Sequence, residues 1–307
     1  MAPRIVTVTL NPAVDLACTA RAVVHTRKVR TRDEHIDPGG GGINVARVLH
    51  ALDADVTAVI LTGGVTGALL VELLNEAGVR HRAIPTRGRT RISLNVFDQT
   101  AGVEYRFVPE GSAAEPLDWL TALSLLDHIE ADWIVASGSL ERGMPDDLYA
   151  RIAATARQRG QRFVLDSSGA PLRLALDAGV DLVKPSVGEL EGLVGHALPG
   201  PREQETEAMT LVSAGKARMV AVTLGEQGAF LASGAGVIRL PGLTATFRSA
   251  VGAGDSFLAA LTLSLARGDS PREALAWGIA AGTAAVECAG TARVTRADVE
   301  AQYRRMS

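Results

Sequence analysis

Short β-branched runs recur along the chain at intervals too long for hairpins and long enough for a helix each. Ile5–Leu10, Val56–Leu61, Trp133–Ala136, Phe163–Leu165, Leu182–Val183 and Met219–Thr223 are almost wholly apolar, which suits strands buried on both faces. The segments between them carry the three-and-four spacing of amphipathic helices. Strands alternating with helices build a mostly parallel sheet covered on both sides, a three-layer α/β fold. Ligands of such sheets bind beyond the carboxyl ends of the strands, so the chemistry is expected in the turns that follow them.

Two stretches break this rhythm. Leu16–Ile36 and Thr90–Val108 read as strands with no helix between them, partly alternating, as in Arg91-Ile-Ser-Leu-Asn-Val-Phe97. They are expected to form a small antiparallel β lid, from about 14–36 and 90–108, on one domain spanning 1–307. Gly195–Glu205 is polar, contains Pro and Gly, and is expected to be a surface loop. Ser270-Pro-Arg-Glu273 carries a helix N-cap, a proline at the first helical position and the glutamate of a capping box, so a helix should run from there past Trp277. Its small residues Gly278, Ala280, Ala281, Gly282, Ala284 and Ala285 suit close approach of either a neighbouring helix or a flat ligand such as adenine.

A chain of 307 residues with 47% hydrophobic residues can bury a large core. Its formal charge of −3 gives no general attraction to nucleic acid or anionic membrane, so the partners should be small molecules. Cys18 and Cys288 are too few for a disulfide framework and suit a reducing compartment. No apolar run reaches membrane-spanning length, and the N-terminus enters the first strand directly, so a cytoplasmic location is expected.

Two glycine clusters stand where ligand-binding turns belong. Pro38-Gly-Gly-Gly-Gly-Ile-Asn-Val-Ala-Arg47 sets its glycines before a helix whose core face includes Ile43, Val45, Ala46 and Leu49. Such a run carries an entropic cost and suits main chain lying against a ligand, a flexible connection being the alternative. Asn44, in the following turn, both donates to and accepts from a hydroxyl. The second cluster, Ser249-Ala-Val-Gly-Ala-Gly-Asp-Ser-Phe257, precedes a helix facing the core through Phe257, Leu258, Leu261 and Leu265. Free amides and the positive end of the helix dipole make that turn an anion site, and Gly252 and Gly254 open it to a phosphate. Asp255 lies in the same first turn, as a base for phosphoryl transfer or only as a helix-terminus acid. Neither cluster has the spacing of a P-loop or of a dinucleotide fingerprint. A serine hydrolase built on Ser256 has little support, since there is no G-x-S-x-G elbow and no histidine with an evident triad context.

Other strand ends add polar groups. Asp15, just after the first strand, stands where it can accept from substrate hydroxyls, a plain turn aspartate being the alternative. Lys28, Arg30, Arg91 and Arg106 fall on the expected lid strands, as solvated edge charges or together as a phosphate site. Glu189, a turn after Lys184-Pro-Ser186, could hold Mg²⁺ through water, and Thr223-Leu-Gly-Glu-Gln-Gly228 reads as a turn reaching toward a nucleotide.

In this order, Asn11-Pro-Ala-Val-Asp15, Gly39-Gly-Gly-Gly-Ile-Asn-Val-Ala-Arg47, Thr90-Arg91, Ser137-Gly-Ser-Leu140, Lys184-Pro185 with Glu189, Thr223-Leu-Gly225 with Gly228, and Gly252-Ala-Gly-Asp255 resemble the ribokinase-like (PfkB-type) carbohydrate kinases over nearly the whole chain. The four-glycine run and Asp166-Ser-Ser-Gly169 resemble most the type-2 6-phosphofructokinase members of the phosphosugar branch. The resemblance implies a ribokinase-like fold and transfer of the ATP γ-phosphoryl group, with Mg²⁺, to fructose 6-phosphate. Fructose 1-phosphate, tagatose 6-phosphate or an unphosphorylated sugar are alternative acceptors, and a sugar-phosphate-binding regulator with weak catalysis is the alternative of a different class. Any K⁺ requirement stays open.

By the same resemblance Asp255 is the base, and the turn Gly252, Ala253 and Gly254 stabilises the transferred group through the Ala253 and Gly254 amides. Asp15, Gly40, Gly41, Asn44 and Ser139 hold the sugar, while Lys28, Arg91 and Arg106 meet its phosphate. Lys184, Ser186, Thr223, Gly225 and Gly228 serve the nucleotide. The family's pairing of lids implies a homodimer. The chain departs from the family pattern at Ser186, where Lys-Pro-Asn is usual, and at Ser93, where an asparagine is usual.

Overall fold

Residues 2–288 and 293–306 are described by a computed structural model. Its strands are β1 (Arg4–Thr9), β2 (Ala13–Ala20), β3 (Thr31–Gly39), β4 (Asp55–Thr62), β5 (His81–Pro85), β6 (Arg91–Asp98), β7 (Val103–Phe107), β8 (Trp133–Ser137), β9 (Arg162–Asp166), β10 (Val180–Val183), β11 (Ala217–Thr223), β12 (Ala229–Ser233) and β13 (Gly236–Leu240). The large sheet has nine strands in the order β13-β12-β11-β10-β9-β8-β1-β4-β5. It is parallel from β5 to β11, and the β12–β13 hairpin continues it antiparallel. All six expected buried runs lie in this sheet.

Sequence patterning missed β5, β12 and β13. β5 is an edge strand with only Ile84 buried, so it lacks an apolar run. The turn before β12 drew attention away from the apolar Ala-Phe-Leu-Ala that follows it. Apolar side chains from the two sheet faces form two cores, one around Ile43, Leu49, Leu258 and Leu275, the other around Tyr149, Phe163 and Leu190. Along the sheet the chain order reverses about β1, which has β4 on one side and β8 on the other. Such a switch point opens a crevice at the carboxyl ends of the strands.

The lid is a four-stranded sheet in the order β3-β2-β6-β7. Its outer pairings, β2–β3 and β6–β7, are antiparallel as expected, but its central pairing, β2–β6, is parallel. The connectivity explains this: β2 leaves the end of β1 and β6 leaves the end of β5, two strands that run the same way in the large sheet. Lys28 and Arg30 do not lie on lid strands; the turn chain between β2 and β3 carries them, exposed.

The segment Gly195–Glu205 is a loop only to Gly200. Helix Pro201–Ser213 begins there, its proline occupying the first turn, where the missing N–H is no loss. The capping box at Ser270 forms as expected and opens helix Pro271–Val286. The small residues of that helix pack against helix Ala253–Arg267 and also border open space. A Cβ at Gly278 would come within 2.9 Å of the Phe257 ring on the neighbouring helix, whereas Gly282 and Thr283 line an open cleft. Cys18 and Cys288 are free thiols. No helix among the described residues is long and apolar enough to cross a membrane.

Candidate active site

Helix Ala253–Arg267 starts at Gly252, whose left-handed backbone (φ 80°) strains any residue with a Cβ. The Ala253 N–H turns back to the Ala250 carbonyl, 3.3 Å away, so that amide is already partnered. The N–H groups of Gly254 and Asp255 meet no acceptor among the described residues and point, with the helix dipole, into the turn. A side chain at Gly254 would stand 3.5 Å from the Lys184 ammonium, which lies against the turn and is 5% exposed. The turn is thus doubly suited to anions.

Asp255 is fixed from two sides. Asn44 Nδ2 donates to its Oδ2 at 3.0 Å, and Ser137 Oγ lies 3.4 Å from its Oδ1. The same hydroxyl is 3.4 Å from Asp166 Oδ2, and its one proton serves one carboxylate at a time. Lys184 Nζ stands 3.2 Å from Asp166 Oδ1. Burial pushes the Asp255 carboxyl above the ordinary aspartate range; the Asn44 hydrogen bond, Lys184 and Ser137 oppose the shift, and Asp15 adds to it. Desolvation therefore outweighs Asn44, Lys184 and Ser137, and Asp255 is a stronger base than an exposed aspartate. Burial likewise raises Asp166 to about 6, against the pull of Lys184. Burial alone would lower the Lys184 ammonium, but Asp166 and Glu189 hold it above its usual value.

On one side of Asp255 lies a cavity of ≈ 200 Å³ under the lid, lined by Asp15, Gly40, Gly41, Asn44, Arg91, Ser93, Asn95 and Arg106 among others. Its floor is possible only with glycine. A Cβ at Gly39 would overlap the Asp15 carboxylate and one at Gly41 would overlap Ser137 Oγ. Burial raises Asp15 to about 6, although Arg106 and Arg91 pull it down. Arg91 is anchored through its Nη1 to the Pro109 carbonyl at 2.8 Å and its Nη2 to that of Asn11 at 2.9 Å.

On the other side opens a cleft of ≈ 880 Å³ lined by Thr223, Gly225, Gly228, Phe247, Ala253, Gly254, Phe257, Ile279, Gly282, Thr283 and Val286 among others. One wall is apolar and wide enough for a flat heterocycle, and the Gly254 turn separates this cleft from the lid cavity. Among the described residues no three metal-ligating side chains cluster. Glu189 fits a hard cation held mainly through water, because its Oε2 is engaged by Ser186 N at 2.7 Å and Oγ at 2.9 Å and its other oxygen makes no such bond.

Residues 8–297 match the pfkB family of carbohydrate kinases. The chain belongs to that family. This kinase is 41% identical over 300 residues to ATP-dependent 6-phosphofructokinase isozyme 2 of Mycobacterium tuberculosis, covering 97% of this chain and 88% of the relative. It is 35% identical to a 1-phosphofructokinase of Rhodobacter capsulatus, covering 92% and 91%. A crystal structure of phosphofructokinase-2 from Escherichia coli in complex with fructose-6-phosphate superposes with a TM-score of 0.93 at 35% identity, over 99% of both chains. The same Escherichia coli enzyme in complex with potassium gives 0.95 at 36%, again over 99% of both. The kinase is thus a phosphotransferase acting on a sugar hydroxyl, with the ribokinase-like fold.

In the kinase, Asp15, Gly40, Gly41, Asn44, Arg91 and Arg106 gather at the lid cavity with Asp255, as the sequence suggested. Thr223, Gly225 and Gly228 gather at the cleft. Lys28 does not reach the cavity of its own chain, and Ser139 is exposed, receiving a 3.2 Å bond from Asn11 Nδ2. Lys184 lies against the turn instead of lining the cleft, and Ser186 caps helix Val187–Val194. Sequence reasoning missed Ser137 and Asp166 as neighbours of Asp255 and Lys184. Their signal was positional: each ends a strand beside the switch point.

Proposed function

We propose that this kinase transfers the γ-phosphoryl group of ATP to fructose 6-phosphate, giving fructose 1,6-bisphosphate, in the cytoplasm. The observation that carries the reading is the lid cavity itself, with Asp255 at one end and Arg91 and Arg106 at the lid, so that a sugar held by its phosphate presents its far hydroxyl to the base. Names of relatives over nearly the full length support the same acceptor. A phosphate dianion between two guanidiniums receives charge-assisted hydrogen bonds that a neutral sugar would not.

The acceptor hydroxyl gives its proton to Asp255 Oδ1, which Ser137 Oγ approaches only at 3.4 Å while Asn44 binds Oδ2 at 3.0 Å. The unpartnered Gly254 and Asp255 amides and the Lys184 ammonium face the oxygens of the group in flight, where charge spreads in a loose transition state. Gly252 contributes the turn that aims them. Asp15 and Asn44 orient the sugar ring, and the cleft takes the nucleotide against Ile279, Thr283 and Val286. Glu189 would hold Mg²⁺, which would supply charge neutralisation at the nucleotide phosphates. Ser186, as helix cap, keeps Glu189 in place. The Escherichia coli relative has been crystallised in complex with potassium, and comparing K⁺ with Na⁺ in the assay reads whether this kinase responds to it.

Two copies pair through the lids. A coupled assay with Mg·ATP over fructose 6-phosphate, fructose 1-phosphate, tagatose 6-phosphate and unphosphorylated sugars tests the acceptor. The highest kcat/KM is expected with fructose 6-phosphate. A preference for fructose 1-phosphate, the reading favoured by the Rhodobacter relative's name, or for a neutral sugar overturns it.

A further inference from the structure

Strand β6 turns alternate side chains toward the lid cavity. Arg91, Ser93 and Asn95 all line it. Arg91 is anchored to carbonyls, and Ser93 is short, but Asn95 is neither anchored nor short. Its Oδ1 is buried and has no donor among the described residues. Register places Asn95 beside Ala17 of β2 and beside Arg106 of β7, so one neighbour is too small to cover the amide and the other is itself a cavity residue. Buried carbonyl oxygens in folded proteins almost always have a donor, and an unpaired one that lines a ligand cavity marks where a ligand's donor goes.

We propose that Asn95 is a specificity-determining residue whose side-chain oxygen accepts a hydrogen bond from a ring hydroxyl of the sugar. The proposal rests on the sugar-phosphate reading given above. A phosphate dianion carries no donor, so the partner of an amide oxygen is a hydroxyl and not the group held by Arg106. The only other unpartnered buried amide oxygen among the described residues lining this cavity is Asn44 Oδ1, on the helix side near Asp255. The two acceptors, one on the floor helix and one on the lid, hold a sugar by hydroxyls at two places. Lid contact with the ring then distinguishes sugars by where their hydroxyls point, independently of the phosphate.

The test compares Asn95→Leu, with Asn95→Ala as the second variant if the first fails to fold, against wild type. Steady-state kinetics would be run with fructose 6-phosphate and with unphosphorylated fructose at high concentration, and the KM for ATP measured alongside. A loss in kcat/KM of roughly 10–100-fold, similar for both sugars, with the KM for ATP within about twofold of wild type, is expected. Arg106→Ala, in contrast, should lose activity with fructose 6-phosphate only. Unchanged kcat/KM with fructose 6-phosphate overturns the proposal, as does a loss confined to the phosphorylated sugar, which would assign Asn95 to the phosphate. If wild type turns over no sugar phosphate, the acceptor reading itself fails, an outcome distinct from an active wild type with an indifferent Asn95.

Discussion

At the residue scale the site turns on Asp255, whose basicity is set by contacts far off in sequence. Asn44 is 211 residues away and Ser137 is 118 away, and both bond its carboxylate. The glycines, the acid and the helix start were legible in Gly252-Ala-Gly-Asp255, because turn chemistry is local. The direction of the pKa shift was not, because burial of Asp255 comes from the assembled strands. Asp255→Asn should keep the fold and substrate binding but lower kcat on the order of 10²–10⁴-fold, the usual scale for a general base. A near-normal kcat in a well-folded variant would remove Asp255 from that role. The acid limb of the pH profile follows from the same shifts. Asp15 is raised to about 6 and Asp255 is raised by its burial, so the ionised Asp15 is lost as pH falls through about 6 and the ionised Asp255 is lost at a higher pH than an ordinary aspartate. Activity should therefore decline there, well above the ordinary aspartate value of about 3.9. A profile flat down to that ordinary value would contradict the shifts.

Among the elements, helix starts were more legible than strand partners. Ser270 and Glu273 announce a capping box in four residues, and the box forms. The parallel β2–β6 pairing was hidden because it depends on which ends of the large sheet release the two strands. Ser186 shows the limit of motif comparison. In the sequence it is only a departure from Lys-Pro-Asn, whereas in the structure its Oγ accepts from the Glu189 N–H at 3.2 Å and closes a capping box with that glutamate. Asparagine is as good an N-cap as serine, so Ser186→Asn should leave stability and Mg·ATP use near wild type. Ser186→Ala removes the cap and releases Glu189. It should cost about 1 kcal/mol in denaturant unfolding and raise the KM for Mg·ATP. Equal behaviour of the two variants would show that the cap does not matter here.

For the whole molecule, the open question is what covers the outer face of the lid. The side of the lid sheet away from Asp15 and Arg91 is apolar. Leu16, Cys18, Leu94 and Val96 share it with Ile36, Ile92, Tyr105 and Phe107, and the last four remain 45%, 45%, 38% and 54% exposed. Only a small cluster of Cys18, Ala20 and Val96, with Val23, Val29 and Leu94, is packed at one end. A four-stranded sheet with one wet apolar face gains most by pairing with its own copy, since an isologous contact covers both faces at once. Such pairing also gives Lys28, stranded on the exposed connection and outside its own cavity, a second cavity to approach, and it excludes water from the phosphate end. The expected result is a homodimer in sedimentation, and a monomer for Phe107→Glu, which sets a charge on this exposed apolar face. On the proposed assignment of the lid cavity to the sugar and of the cleft to the nucleotide, the Phe107→Glu monomer should show a KM raised for fructose 6-phosphate far more than for ATP. Arg106→Ala should do the same without dissociating the dimer, and it is a cleaner probe than Arg91→Ala, which would also free the Pro109 and Asn11 carbonyls. A wild-type monomer at assay concentrations, or equal KM increases for both substrates in Phe107→Glu, would refute the coupling of phosphate recognition to assembly.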